Sequence, residues 1–232
     1  MKTKRMINWI VGLSLFWCTL SAFGSWVYFD VNQAVPDNDP TGLQNTQTLS
    51  GFDPKIDYVE AYLKLSGSPD AFSGDYYVTL IGPNGGFSVL LNRVGRTMSS
   101  SLGYGDNGFD ITFSSGTNDV HLYQNYSPVF DGQFLLTGTW DADGRNVDPD
   151  IVLDTDSRTA GLDAFNGLNP NGNWTLFVAD LNQNGTASVV SWGMNINASI
   201  PEPATALLFG LGGMGAWMLR RNKVKSKEAM DD

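Results

Sequence analysis

At 232 residues the chain has room for one sizeable core, and not for two typical domains once its ends are set aside. Its formal charge of −10 is unevenly spread: between residues 25 and 200 six lysines and arginines face twenty aspartates and glutamates, leaving −14 there. A surface of that sign repels nucleic acid and anionic lipid, which excludes both as direct partners of this span, and it suits solubility outside the cell or divalent cations.

The chain opens with a basic segment, Met1 to Arg5, followed by an apolar run from Met6 to Leu20. Ser21-Ala22-Phe23-Gly24 ends that run at the spacing of a cleavage site, so residues 1–24 read as a secretory signal peptide. Cys18 is the sole cysteine and lies inside it, after Leu15-Phe16-Trp17, which are bulkier than the residues a lipoprotein signal places there. The mature chain therefore has no disulfide, no thiol chemistry and no cysteine metal site.

From residue 25 to 199 the pattern is that of strands. Val59, Ala61, Leu63 and Leu65 alternate with Glu60, Tyr62 and Lys64; Phe109, Ile111 and Phe113 alternate with Asp110, Thr112 and Ser114. Val190, Trp192, Met194 and Ile196 alternate with Ser191, Gly193 and Asn195. Period two with one apolar face is a half-buried antiparallel strand. Tyr76 to Ile81 and Trp174 to Ala179 are more continuously apolar, as central strands are. Turn residues separate them at Gly82-Pro83-Asn84-Gly85, Asp106-Asn107-Gly108, Asn169-Pro170-Asn171-Gly172 and Asn184-Gly185. No convincing 3.6-residue period interrupts this, so the fold class is all-β, a jelly-roll β-sandwich. His121 to Thr159 is weakly patterned and reads as long loops with one or two short strands. Trp174 and Trp192 fall on the apolar parity of their strands and are expected in the core, on two strands joined by the Leu181–Thr186 turn.

The C-terminal stretch begins with Pro201-Glu202-Pro203, continues as an uncharged run from Ala204 to Leu219, and ends in Arg220, Arg221, Lys223, Lys225 and Lys227. The prolines end the preceding strand. A helix of about 16 residues spans roughly 24 Å, a little short of the bilayer core, and the arginines lengthen its reach by snorkelling. A single C-terminal transmembrane helix is expected, its basic cluster (Arg220, Arg221, Lys223) stopping transfer on the cytoplasmic side and leaving the domain outside. The domain plan is thus 1–24 signal peptide, 25–199 β-sandwich, 200–223 membrane segment with its flanks, and 224–232 cytoplasmic tail.

These three C-terminal parts in order resemble the PEP-CTERM sorting signal of Gram-negative bacteria. The resemblance implies recognition by an exosortase at Pro201, Glu202 and Pro203, with cutting near that tripeptide and release of the domain to the cell envelope or beyond. The domain has a resemblance of its own. Val35 to Gly42, Ser73-Gly74-Asp75-Tyr76, Leu90-Leu91-Asn92-Arg93, Gly103 to Phe109, Leu162 to Gly167, and Asn171-Gly172-Asn173-Trp174-Thr175-Leu176 with Asp180 and Ser191-Trp192 are similar to the P-domain, or Homo B domain, of subtilisin-like proprotein convertases. That implies a jelly roll which, in convertases, packs against a protease. The stretch from Gln124 to Ser157 departs from the pattern.

Enzyme chemistry finds little purchase. His121 is the only histidine, in Asp119-Val120-His121-Leu122-Tyr123, and no Gly-x-Ser-x-Gly elbow or subtilisin-like serine block accompanies it. The aspartates at 141, 143, 148, 150, 154 and 156 read as solvated acids rather than as a glycosidase pair. Asp180-Leu181-Asn182-Gln183-Asn184-Gly185 matches the first half of a calcium loop, but the twelfth position is Ser191 rather than Glu; a hairpin tip at Asn184-Gly185 explains the same letters and is preferred. No cofactor is expected, with calcium on Asp180, Asn182 and Asn184 as the weaker alternative.

The sequence thus points to a non-catalytic exported protein of the envelope or extracellular matrix. Its expected partners are an exosortase, the inner membrane before processing, and either exopolysaccharide or a protease served in trans. A carbohydrate-binding module would show an exposed aromatic cluster, for which Tyr123, Tyr126 and Phe130 are the candidates. A protease accessory would show a bare apolar patch of several hundred Å².

Overall fold

The computed structural model describes residues 24–67 and 71–199. The expected signal peptide (1–24, all but Gly24), Pro201-Glu202-Pro203, the expected transmembrane helix and the basic cluster lie outside the described residues. Among the described residues nine strands form two sheets: β1 (Ser25–Ala34), β2 (Asp39–Leu49), β3 (Lys55–Gly67), β4 (Tyr76–Ile81), β5 (Phe87–Asn92), β6 (Gly108–Phe113), β7 (Leu136–Trp140), β8 (Gly172–Asp180) and β9 (Ala187–Ser199). The larger sheet has the order β1-β9-β3-β6-β7 and the smaller the order β2-β8-β4-β5. Early strands pair with late ones, β1 with β9, β2 with β8, β3 with β6 and β4 with β5, all antiparallel. Only β7 runs parallel to its neighbour β6.

Binary patterning explains which faces meet. Val59, Ala61, Leu63 and Leu65 of β3 and Phe109, Ile111 and Phe113 of β6 are buried, and from the other sheet Val78, Leu80, Trp174, Leu176 and Val178 pack into the same core. Both continuously apolar segments are indeed central, β8 between β2 and β4, and β4 between β8 and β5. The Pro83-Asn84-Gly85 turn closes the β4–β5 hairpin, with Asn84 and Gly85 both at positive φ.

Two expectations need correction. Register shifts between Lys64 and Leu65, which lie opposite Ser191 and Val189 respectively, so Val190 is the extra residue of a β-bulge. Val189 rather than Val190 is then fully buried, while Trp192, Met194 and Ile196 keep the expected inward side. And the Leu181–Thr186 segment is not a hairpin: β8 and β9 belong to different sheets, so it carries the chain across the top of the sandwich. Trp174 and Trp192 are both buried, as expected, but one projects from each sheet.

Candidate functional site

The crossover between β8 and β9 holds the three calcium candidates. Asp180 ends β8 with 2% exposure, and its Oδ1 accepts the backbone N–H of Asn182 at 3.2 Å. Asn182 donates from Nδ2 to Asp75 Oδ1 at 3.3 Å, and Arg93 approaches the same oxygen at 3.7 Å. Asn182 and the exposed Asn184 line a cavity of about 390 Å³ with Asp75, Phe72, Leu102 and Tyr104, whereas Asp180 is not in its wall. Calcium takes six to eight oxygens. Among the described residues no group of three or more His, Cys, Asp or Glu side chains is arranged to hold a metal ion. The loop's letters are accounted for by its turn, in which Asp180 caps the backbone and Asn184 adopts positive φ.

Burial, with the nearby charges of Asp75 and Asp37, pushes the Asp180 carboxyl up to about 6 despite the hydrogen bond from Asn182. Folded Asp180 therefore holds its proton to a higher pH than it does unfolded. Its contribution is full below about pH 4 and is lost as pH rises to about 6. Asp180→Asn keeps the acceptor for the Asn182 N–H and removes the charge. It is expected to be more stable than wild type at pH 7 by about 1–3 kcal/mol and to lose that advantage at pH 4, as urea unfolding at the two pH values will show.

The weakly patterned region from His121 to Thr159 contains one short strand, β7, as expected, and its loops are tied together by buried ions. His121 and Asp143 are both 0% exposed, and Nδ1 meets Asp143 Oδ2 at 2.8 Å while Nε2 lies 3.0 Å from the Arg96 carbonyl oxygen. A carbonyl only accepts, so Nε2 carries a hydrogen, and the carboxylate favours a second on Nδ1. Burial by itself lowers the His121 pKa, but the hydrogen bond and charge of Asp143 outweigh it and the net direction is up. Arg145 closes the network on Asp119 Oδ2 at 2.8 Å and Asp143 Oδ1 at 3.2 Å. Asp143 is thus a buried ion-pair partner and not the solvated acid its setting suggested. His121, with both nitrogens engaged, has no lone pair to act as a base.

The aromatic candidates also change role. Tyr123 is buried, donates to Asp106 Oδ2 at 2.6 Å, and packs edge-on against Tyr104, Phe130 and Trp140. Only Tyr126 of the three candidates is well exposed. Tyr123 belongs to the hydrophobic core and Phe130 packs against it, so the three do not form a platform.

A partly exposed aromatic cluster lies on the outer face of the larger sheet, with Tyr28 exposed and Trp26 and Tyr62 half-buried beside it. Tyr28 of β1 and Tyr62 of β3 both lie opposite Gly193 of β9. With no side chain between them, their rings meet over Gly193 at 5.4 Å and 81°; a Cβ at Gly193 would stand 2.8 Å from the Tyr28 ring. Trp26 stacks beside Tyr28 at 5.5 Å and 14°. Tyr28 remains 57% exposed. Polar groups frame the rings: Tyr62 donates to Asp110, which also holds Lys64 at 2.7 Å, and Asn195 donates to Glu60 at 2.9 Å. Burial and the neighbouring Asp110 push the Tyr62 hydroxyl up to about 12, so it stays a donor at neutral pH. Beside this strip, Tyr58 and Glu60 open onto a depression of about 320 Å³ with Ser114, Ser115, Asp163 and Asn166. The alternation in β3 already turned Glu60, Tyr62 and Lys64 outward. The overlooked signal was Trp26-Val27-Tyr28-Phe29, where Val27 and Phe29 pack inward and Trp26 and Tyr28 share the outward parity of β1.

No match was found among curated proteins. Among solved structures, a serine protease of Aeromonas sobria in complex with its chaperone is similar at 14% identity and TM-score 0.42, over 75% of this chain and 26% of that chain. The serine protease of Aeromonas sobria on its own gives 14% and 0.40 over the same shares. This chain spans about a quarter of those protease chains, and likeness at that level carries no argument about activity. Residues 199–222 match the PEP-CTERM protein-sorting motif, which begins at the last residue of β9, so the chain couples a β-sandwich directly to a C-terminal sorting signal.

Proposed function

We propose that the protein is an exported, non-catalytic component of the cell envelope or extracellular matrix, carried as a membrane-anchored precursor and released by an exosortase through Pro201-Glu202-Pro203. The observation that carries this is the sorting motif at residues 199–222. The cargo is an interaction module with a jelly-roll winding. The strand orders β1-β9-β3-β6 and β2-β8-β4-β5 support that winding, since they are what a long hairpin of eight strands leaves when wrapped into two sheets, with β7 as an addition. The single histidine, buried with both nitrogens committed, supports the absence of triad chemistry. The residues similar to a P-domain keep a second role open, that of a module serving a separate subtilisin-like protease. The exposed aromatic face favours ligand binding over it.

The test is processing. In a host with exosortase the precursor is expected to lose its C-terminal segment, and Glu202→Ala is expected to leave the full-length, membrane-bound form. Equal processing of both would remove the sorting reading.

A further inference from the structure

We propose that the outer face of the larger sheet binds a polysaccharide strand containing amino sugars with free ammonium groups, seated on Trp26, Tyr28 and Tyr62 and running toward the depression at Glu60 and Asp163. The proposal rests on the reading of the domain as an exported interaction module and names its ligand class.

The first support is the chemistry of the face. Pyranose rings present flat C–H surfaces that pack on aromatic rings, and their hydroxyls need donors and acceptors alongside. Three aromatic side chains are joined here in one cluster by ring contacts of 5.4 and 5.5 Å. Asn195, Glu60, Asp110 and Thr112 surround them, in register across β9, β3 and β6. The position opposite Tyr28 and Tyr62 on the intervening strand is glycine, which keeps the surface above β9 low and lets the rings lie across it. Tyr28 stands exposed and Trp26 and Tyr62 are half-buried beside it, so the cluster keeps an open aromatic edge to solvent instead of closing into the core.

The second support is charge. Asp30 lies in the row next to Tyr28, exposed on β1, with Ser191 opposite. Lys64, on this part of the face, is neutralised by Asp110 at 2.7 Å. The adjoining depression is lined by the carboxylates of Glu60 and Asp163 and by no lysine or arginine. An acidic polysaccharide meets repulsion along this path. An ammonium group meets two to three carboxylates and the electron-rich faces of tryptophan and tyrosine, which attract cations.

The test uses the protein purified in its processed form, applied to gels or surfaces carrying partly deacetylated chitosan, a neutral β-glucan or polygalacturonate. Retention on chitosan that exceeds retention on the neutral polymer and weakens with added salt is expected, with none on polygalacturonate. Trp26→Ala and Tyr28→Ala are each expected to weaken chitosan binding about 10-fold without moving the unfolding midpoint by more than a few degrees. Asp30→Asn, an exposed change, is expected to weaken binding severalfold and to flatten its salt dependence. The proposal is overturned by absence of retention on chitosan, by equal or tighter retention on the neutral or acidic polymer, or by chitosan binding that survives Trp26→Ala and Tyr28→Ala together. Self-association that these same variants abolish, with no glycan retention, would instead give the face to a second copy of the chain. Failure of any of these leaves the processing experiment with Glu202→Ala untouched, so the two readings fall separately.

Discussion

Asp143→Ala is expected to lower the unfolding free energy by about 3–5 kcal/mol, the range for breaking a buried ion pair by removing one partner. The carboxylate is wholly buried and accepts from the His121 ring at 2.8 Å, from the Arg145 guanidinium at 3.2 Å and from the Asn92 backbone N–H at 3.1 Å. Without it the buried Arg145 guanidinium is left with Asp119 alone to compensate, and the buried His121 ring loses its carboxylate partner. Three segments lose their common anchor: the turn at Arg96, the short helix at Val120–Tyr126, and the loop through Arg145. Because the residues act as one unit, adding His121→Ala to Asp143→Ala is expected to cost much less than His121→Ala alone. The pH dependence has a definite sign. Folded His121 has a raised pKa, so its contribution is present below about pH 6.5 and fades as pH climbs through that raised value. Asp143→Ala is expected to erase this alkaline loss. Urea unfolding followed by tryptophan fluorescence reads all three; a loss below about 1 kcal/mol for Asp143→Ala would mean the network is incidental.

Trp192→Ala is expected to cost about 3–5 kcal/mol by the same measurement. Its ring is buried between the sheets, packs on Phe29 at 4.8 Å, and its Nε1 donates to Asn45 Oδ1 at 2.9 Å. Asn45 belongs to β2 and Trp192 to β9, so this hydrogen bond spans the two sheets. Truncation opens a large cavity and at once takes from Asn45 Oδ1 one of its two donors, leaving Gln47 Nε2 at 3.0 Å. Trp192→Phe separates the two effects: it retains most of the packing and is expected to lose about 1–2 kcal/mol for the missing donor. A Phe variant as damaged as the Ala variant would assign the effect to the hydrogen bond instead of to packing.

These residues also show what period-two reading can and cannot reach. Trp174 and Trp192 were legible because central strands buried on one face must alternate, and both tryptophans sit on the apolar parity. β2 was not legible: it is an edge strand, rich in Thr, Gln and Asn, and burial constrains few of its residues. The bulge at Val190 escaped because either valine satisfies the pattern, and only pairing with Lys64 and Leu65 decides between them. The crossover at Leu181–Thr186 was misread as a hairpin because Asn-Gly turns close both kinds of connection; which sheet receives the next strand is a tertiary matter. Asp143 looked solvated because an acid in a loop usually is, and its partners His121 and Arg145 come from opposite sides of that loop. The outward strip fell partly within reach, since Tyr62 was already placed on the polar side of β3. What alternation does not supply is the neighbour across Gly193 that turns two tyrosines and a tryptophan into one surface.

The claim on which the functional account depends is that a sorting signal delivers a cargo out of the inner membrane. Intact-mass analysis of the native protein, combined with fractionation of the producing cells, tests it most directly. The recovered polypeptide is expected to begin near Ser25, to end near Pro201-Glu202-Pro203, and to be found in the outer envelope or the medium. Recovery of the protein from the inner membrane with Ala204 to Arg221 still attached, in cells that contain exosortase, would contradict it.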